Sequence, residues 1–178
     1  MSVSVAALLQ AARAQGVERL DAQLLLAHAL GQNRSWVIAH ADDALTPTQA
    51  EAAEKLIGRR ASGEPLAYLV GEREFCGLHL IVTPDVLIPR PDTETLVEWA
   101  IDLIRGHSAP RIADLGTGSG AIALALKHAL PQAEVHASDA SAAALAVAFA
   151  NGERLALPVL WHLGSWFDAL PAALRFDL

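Results

Sequence analysis

The sequence predicts an α/β chain in which a small helical bundle is followed by a parallel sheet with helices packed against it. Three observations support this fold class. Apolar residues recur at helical spacing through about residue 62. From residue 111 onward, short apolar runs alternate with helical segments rich in Ala and Leu, which is typical of a doubly wound parallel sheet. At the first strand-to-helix junction, a carboxylate precedes three glycines spaced two residues apart.

The N-terminal part predicts four short helices. The apolar face positions of the first two are Val5, Leu8, Leu9, Ala12, Val17, Leu20, Leu24, Leu25 and Leu30. A third helix is marked by Trp36, and a fourth begins at Thr46 as N-cap, with Pro47 at the first helical position and Gln49 three residues after the cap. The fourth helix is expected to stop at Gly63. Because this bundle has no catalytic constellation of its own, we expect it to recognise a partner.

The middle of the chain predicts a hairpin and a stiff connector. Residues 73–76 and 78–83 flank a glycine and read as two strands. Three prolines in residues 84–95 favour an extended segment, and Asp92 or Thr93 is expected to cap the next helix.

After the connector, the sequence predicts strands over 111–115, 134–138 and 158–163 and helices over 120–129 and 141–153. Residues 176–178 look like the opening of a fourth strand, so only part of the sheet is expected in this chain. The predicted domains are a helical substrate-recognition domain over 1–70, a β-hairpin linker over 71–84 and a sheet domain over 85–178.

The glycine turn predicts a ligand site. Gly116, Gly118 and Gly120 stand at the start of a helix, where free backbone N–H groups and missing side chains let a ligand approach. The spacing of Gly116 and Gly118 with Ala121 also fits a loose dinucleotide fingerprint. The turn alone therefore leaves NAD and S-adenosylmethionine as alternatives.

Two acids favour S-adenosylmethionine. Asp114 would repel the pyrophosphate of NAD, at a cost on the order of a kcal/mol for like charges a few ångströms apart. The same carboxylate would attract the ammonium and sulfonium groups of S-adenosylmethionine. Asp139 lies 23 residues after Gly116, close to the spacing of about 20 expected for an acid that binds ribose hydroxyls.

Composition narrows the class of protein. The 178 residues are 53% hydrophobic with a net charge of −7, which argues against a surface that coats nucleic acid. No apolar run is long enough to span a membrane, and the first residues do not resemble a signal peptide. The single Cys76 excludes an internal disulfide, and the seven histidines show no metal-ligand spacing. We therefore expect a cytoplasmic protein with no bound metal.

Several motifs together resemble one family, the HemK/PrmC-type release factor glutamine methyltransferases. They lie at residues 71–75, 77–78, 82–94, 114–120, 138–141, 150–151 and 166–167. The run from Leu87 to Pro91 (Leu-Ile-Pro-Arg-Pro) is the most specific, because generic methyltransferases lack it. The chain departs from the family at Asp92, where Glu is usual, at Cys76, where an aromatic is usual, and at Ser165, where Asp is usual.

The resemblance implies a Rossmann-like S-adenosylmethionine-dependent methyltransferase fold after the helical bundle, incomplete in this chain. It implies methyl transfer to the side-chain amide nitrogen of the glutamine in the Gly-Gly-Gln motif of peptide chain release factors, a step in translation termination. The family's catalytic Asn-Pro-Pro-Tyr motif would follow Leu178, so we expect a fragment of a longer enzyme without turnover of its own. A monomer that binds neither membranes nor nucleic acid is expected.

The implied site has a donor part and an acceptor part. The predicted cofactor-binding residues are Asp114, Gly116, Thr117, Gly118, Ser119, Gly120, Asp139 and Trp166. The glycine turn would take the methionine part, with Asp114 near its ammonium, while Asp139 would hold the ribose hydroxyls and Trp166 would pack on the adenine. The acceptor glutamine would approach along Pro89, Arg90 and Pro91.

Simpler interpretations and other functions stay open at this point. Asp139 and Ser141 could merely cap a helix, and Trp166 could be a core residue. The alternative functions are a DNA adenine or ribosomal protein methylase, an NAD-dependent oxidoreductase and a binding fragment without catalysis.

Overall fold

The computed structural model describes residues 3–178. The chain forms two compact units, one ending at Val70 and the other beginning at Gly71. Each unit has its own cluster of buried apolar side chains. No helix among residues 3–178 is long and apolar enough to cross a membrane.

The first unit contains five helices: α1 (Val5–Ala14), α2 (Arg19–Leu30), α3 (Arg34–Ala39), α4 (Pro47–Ala61) and α5 (Leu66–Val70). The prediction of four helices was wrong because α5 was missed. It has only five residues and follows Pro65, whose carbonyl accepts hydrogen bonds from Tyr68 and Leu69. So short a helix leaves no periodic pattern in the sequence.

The predicted start of α4 is confirmed. Thr46 Oγ1 accepts a 3.3 Å hydrogen bond from the Gln49 N–H, and Gln49 Oε1 accepts a 3.0 Å bond from the Thr46 N–H. This capping box satisfies N–H groups that have no partner inside the helix. The predicted buried face of α2 was partly wrong, because Leu20 is 49% exposed whereas Leu25 and Leu26 are fully buried.

The elements of the second unit are β1 (Glu72–Phe75), β2 (Leu78–Ile81), α6 (Asp92–Leu103), β3 (Arg111–Leu115), α7 (Ala121–Ala129), β4 (Glu134–Asp139), α8 (Ala142–Leu155), β5 (Leu160–Leu163) and a 3₁₀ helix (Trp166–Ala169). The hairpin of β1 and β2 is antiparallel and turns through Cys76 and Gly77, both at positive φ. Its buried residues Phe75, Leu78 and Leu80 belong to the same core as β3, α7 and β4.

The N-terminus of α6 differs from the prediction. Pro91 is the N-cap, and no side chain caps this helix, so the expectation for Asp92 or Thr93 was wrong. Proline φ is already close to the helical value, which lets the helix start without a capping side chain. Glu94 serves a different purpose, because its Oε1 accepts a 3.2 Å hydrogen bond from the Cys76 N–H of the hairpin.

The sheet is parallel, with strand order β3-β4-β5. The predicted fourth strand is not formed as a strand, yet its residues do lie beside β3. The Asp177 N–H donates to the Arg111 carbonyl at 2.8 Å, and the Ala113 N–H donates to the Leu178 carbonyl at 2.9 Å. The chain therefore returns to β3 on the side opposite β4. A ligand crevice is expected where strand order reverses in this way.

Candidate functional site

Three loops meet at one edge of the sheet, because β3, β4 and β5 are parallel and their carboxyl ends lie side by side. The glycine turn follows β3, Asp139 ends β4, and Trp166 follows β5 after a two-residue turn. Backbone hydrogen bonds join these loops. The Ser138 carbonyl accepts from both Gly116 and Thr117, and the Gly164 N–H donates to the Asp139 carbonyl at 3.0 Å.

The three glycines of the turn have different environments. Gly116, Gly118 and Gly120 have φ values of 78°, 57° and 81°, a region that side chains rarely occupy. A Cβ on Gly116 or Gly118 would meet nothing within 4 Å, whereas a Cβ on Gly120 would lie 3.1 Å from both Leu124 and Trp161. Open space therefore borders the first two glycines, and the third allows helix α7 to pack closely.

Asp114 lies buried under the turn, where it supports the first turn of α7. Its Oδ2 accepts a 2.6 Å hydrogen bond from Thr117 Oγ1 and a 3.2 Å bond from the Ala123 N–H. Burial raises the pKa of Asp114, and these two hydrogen bonds oppose that rise because they favour the carboxylate. Asp114 also lines a cavity of about 190 Å³ with residues of α6, β3 and α7.

Asp139 is half-buried and holds two loops together. Its Oδ2 accepts a 2.9 Å hydrogen bond from the Gly118 N–H, and its Oδ1 accepts a 2.9 Å bond from the Ser141 N–H. Ser141 is itself the N-cap of α8, since its Oγ accepts from the Ala144 N–H. Asp139 therefore does contribute to the start of α8, as the simpler interpretation expected, through its hydrogen bond to the N-cap residue Ser141. It also holds the glycine turn in place through its hydrogen bond to Gly118.

The aromatic residues after β5 are exposed. Trp166 has 70% of its surface exposed and a left-handed φ of 49°, so it is not the core residue considered as an alternative. Such a backbone conformation costs a bulky residue about 1–3 kcal/mol and is found mainly at functional sites. Ser138 Oγ, on the neighbouring strand, donates a 3.4 Å hydrogen bond to the Trp166 carbonyl.

The other predicted site residues differ in their exposure to solvent. Thr117, Ser119 and Gly120 are buried, so a ligand has direct access to Gly116 and Gly118 rather than to the whole motif. Pro89 is half-buried, while Arg90 and Pro91 are exposed before α6. Within residues 3–178, no backbone hydrogen bond joins Pro89–Pro91 to the glycine turn.

A residue without a predicted site role contacts the turn from α8. The Asn151 side chain is fully buried and donates a 3.0 Å hydrogen bond from Nδ2 to the Ser119 carbonyl. Asn151 is a single amide among mostly apolar neighbours in an Ala-rich helix. That pattern marks a buried polar group that needs a partner, but the sequence does not tell which partner it has.

Comparison with known proteins places the chain among methyltransferases. The family description "PrmC N-terminal domain" matches residues 4–71, and "Methyltransferase small domain" matches residues 94–177. The release factor glutamine methyltransferase of Bordetella pertussis is 53% identical over 163 residues, which are 92% of this chain and 60% of that protein. The protein of the same name from Burkholderia pseudomallei is 48% identical over 93% of this chain and 60% of its own length.

The chain belongs to the PrmC family. It spans about 60% of the length of the curated PrmC relatives it matches. Among solved structures, the N-terminal domain of human METTL16 superposes with a TM-score of 0.48 at 20% identity, over 74% of this chain and 50% of that one. The parallel sheet of this PrmC chain, with its helices and its turn after β3, confirms the predicted Rossmann-like fold class.

The charges of the turn fit a cationic ligand in this PrmC chain. Asp114 and Asp139 are acids within or beside the turn, and the turn itself contains no Lys or Arg. Two carboxylates suit an ammonium and ribose hydroxyls, whereas a pyrophosphate would lack a cationic partner here. Residues 3–178 contain no group of three or more His, Cys, Asp or Glu side chains placed to hold a metal ion.

Proposed function

We propose that the protein transfers a methyl group from S-adenosylmethionine to the glutamine side chain of the Gly-Gly-Gln motif in peptide chain release factors. The observation that carries this proposal is the open glycine turn between two carboxylates, in a chain whose PrmC relatives are named release factor glutamine methyltransferases. The match of residues 4–71 to the PrmC N-terminal domain favours this over a DNA adenine methylase.

The residues at the carboxyl edge of the sheet would hold the cofactor. Gly116 and Gly118 let its methionine part approach the backbone, and Asp114 attracts its ammonium. Asp139 keeps lone pairs available for ribose hydroxyls, because each of its oxygens accepts only one hydrogen bond from the protein. Trp166 offers a large exposed ring for the adenine. When bound, S-adenosylmethionine supplies an activated methyl group, and the protein contributes orientation.

The acceptor would approach along Pro89, Arg90 and Pro91. Both prolines have φ fixed by their rings, so this segment loses little conformational freedom when a peptide binds beside it. Orientation is the main contribution available to such a reaction, worth up to about 7–11 kcal/mol in well-aligned systems. The lone pair of an amide nitrogen is delocalised into the carbonyl, so the nitrogen is a weak nucleophile and its alignment with the methyl group matters.

The first unit offers a surface for the release factor. A groove of about 600 Å³ has an apolar floor of Leu9, Val17, Ala22 and Val37, with Ile38 at its side. Arg13, Glu18 and Arg19 also line the groove, so its charged lining side chains are two cations and one carboxylate. An apolar segment that carries acidic residues would fit such a groove. We propose that the release factor docks here.

A pair of matched substitutions tests this docking site. Ile38 and Leu20 are both 49% exposed, but only Ile38 lines the groove. Ile38→Asp is expected to weaken release-factor affinity at least tenfold in a calorimetric titration, whereas Leu20→Asp is expected to leave it unchanged. Equal effects of the two substitutions would contradict the docking site without contradicting methyl transfer.

The activity itself is tested with a protein of the relatives' full length, because this chain spans about 60% of the length of those relatives. Labelled methyl from S-adenosylmethionine should appear on a purified release factor. It should be absent when the glutamine of Gly-Gly-Gln is replaced by alanine. Label on the alanine variant would redirect the proposal to another acceptor. We also propose that the protein is cytoplasmic, since release factors act on cytoplasmic ribosomes, and that it is a monomer.

A further inference from the structure

We propose that Asn151 is a positioning residue that couples the glycine turn to strand β2, and through β2 to the segment that leads to Pro89–Pro91. The inference rests on the proposed function, because it assigns the turn to the methyl donor and the later segment to the acceptor. Through this coupling, binding of the methyl donor at the glycine turn would set the position of Pro89–Pro91, along which the acceptor glutamine approaches.

One side of the Asn151 amide behaves as an extra strand partner for β2. Its Oδ1 accepts a 2.7 Å hydrogen bond from the Ile81 N–H, and its Nδ2 donates a 3.0 Å bond to the Ile81 carbonyl. Ile81 is the last residue of β2, and β2 pairs only with β1 among the strands of the described chain. The side chain thus satisfies both backbone groups of Ile81 as a neighbouring peptide would.

The other amide hydrogen of Asn151 bonds to the glycine turn, which is the proposed methyl-donor site. Nδ2 also donates to the Ser119 carbonyl at 3.0 Å, inside the glycine turn. The preceding residue of that turn, Gly118, donates its N–H to Asp139. A ligand that contacts the Gly118 backbone therefore acts on a turn whose next peptide is tied directly to β2.

Asparagine is the side chain this position requires. It supplies two amide hydrogens and an acceptor, and all of them are used here by Ile81 and Ser119. Aspartate of the same size could accept from the Ile81 N–H but could donate to neither carbonyl. Because Asn151 is fully buried, water does not replace a lost partner.

The path from Ile81 to the acceptor segment is short. Pro89 follows Ile81 by eight residues. The intervening chain is braced by a turn, in which Thr83 Oγ1 donates to Asp85 Oδ2 at 3.1 Å and accepts from the Asp85 N–H at 3.2 Å. Val82 and Val86 are buried on either side of this turn. A shift of Ile81 would therefore be carried into the chain that enters Pro89.

The test uses hydrogen exchange at the Ile81 amide, with S-adenosylhomocysteine as the probe and the 178-residue chain as the protein. Binding is measured in parallel by calorimetry. In the unmodified chain, the probe is expected to slow exchange at Ile81 by about 5- to 10-fold, the low end of usual site-to-site coupling. In Asn151→Asp, the probe is expected to bind more weakly. At a saturating concentration of the probe, the exchange rate at Ile81 in this variant should equal its rate without the probe.

Arg154→Gln is the matched control. Arg154 lies one turn further along α8, and its guanidinium donates to the His79 carbonyl of β2 without contacting the glycine turn. This variant loses a tether between α8 and β2, yet it should keep the ligand-dependent protection of Ile81. Loss of protection in both variants would reduce Asn151 to an ordinary structural contact and overturn the proposal.

The unmodified chain decides the matter even if Asn151→Asp fails to fold. Binding of S-adenosylhomocysteine with no change at Ile81 would overturn the coupling and leave the proposed function standing. Absence of binding to these 178 residues would overturn the coupling and the assignment of the glycine turn in this chain to the methyl donor. Protection at Ile81 together with binding supports the proposed methyl-donor site and its coupling to β2.

Discussion

Thr117 Oγ1 donates a 2.6 Å hydrogen bond to Asp114 Oδ2, and both side chains are buried beneath the glycine turn. The bond joins the last polar residue of β3 to the turn that follows it. Without it, the buried Asp114 carboxylate would keep a single hydrogen bond from the described part of the chain, the one from the Ala123 N–H. A turn built over a supported negative charge explains why this site suits a cationic cofactor.

Thr117→Val keeps the size of the side chain and removes the donor. We expect a loss of about 1–3 kcal/mol in the free energy of unfolding, because the buried carboxylate loses a hydrogen bond. Thr117→Ser restores the hydroxyl and should recover most of that loss in urea denaturation. Equal stability of the two variants would show that the bond to Asp114 contributes nothing.

The glycines of the turn should separate binding from folding. Gly116→Ala places a methyl group in open space at φ 78°, where the left-handed conformation alone costs roughly 1–2 kcal/mol. We expect it to weaken S-adenosylhomocysteine binding, since the methyl group projects into the space the ligand would use. Gly16→Ala, at φ 79° and also in open space, is the control for backbone strain alone.

Gly120→Ala should act on the fold instead. Its Cβ would lie 3.1 Å from Leu124 and Trp161 and 3.2 Å from Ala148. Overpacking of this kind adds about 1–3 kcal/mol to the cost of the left-handed φ. Thermal unfolding should show a larger drop for Gly120→Ala than for Gly116→Ala, and the reverse order would contradict this assignment.

Trp166→Leu should reduce cofactor affinity with little effect on stability. The ring is 70% exposed, so few contacts within the protein are lost. Stacking on an adenine contributes about 1–3 kcal/mol, which corresponds to a loss of roughly 5- to 150-fold in affinity. Phe149→Leu, at a ring that is 53% exposed on α8, is the control. Unchanged affinity in Trp166→Leu would remove Trp166 from the adenine site.

A fall in pH should destabilise the second unit through a cluster of titratable side chains on the sheet. His136 Nδ1 lies 2.9 Å from His162 Nε2, and His136 Nε2 lies 2.9 Å from Glu134 Oε1. Burial and the neighbouring His136 lower the pKa of His162 below its usual range. Hydrogen bonds from Arg111 and His136 lower the pKa of Glu134 from 4.5 to about 2.

Both shifts act in the same direction. Below the ordinary histidine pKa of 6.5, the unfolded chain takes up a proton at His162 before the folded chain does, so stability falls. The contribution of Glu134 is present above pH 4.5 and is lost as the pH falls toward about 2. The melting temperature should therefore drop from pH 7 to pH 5, and His162→Gln should flatten that part of the curve. An unchanged slope in this variant would exclude His162 as its source.

The sequence predicts what is local in the site. Asp114 and the glycines are contiguous with β3 and α7, and Asp139 ends the next strand, so strand and helix periodicity is enough to bring them to one edge. The capping box of Thr46 and Gln49 is equally local, and it is present in the structure.

Contacts between residues that lie far apart in the sequence could not be predicted from it. Asn151 bonds Ile81, which lies 70 residues earlier, and no periodic pattern relates the two. The burial of Gly120 depends on Trp161 and Ala148, which come from β5 and α8. Leu20 is exposed because the apolar face of α2 is centred on Leu25 and Leu26 instead. Each of these depends on which elements pack together.

The most direct measurement is a calorimetric titration of the 178-residue chain with S-adenosylhomocysteine, with NAD titrated in parallel. Two carboxylates around an open glycine turn predict that S-adenosylhomocysteine binds and that NAD does not. Asp139→Asn should weaken the binding, because the ribose hydroxyls would lose their charged acceptor. Binding of NAD alone would contradict the methyltransferase site at its centre.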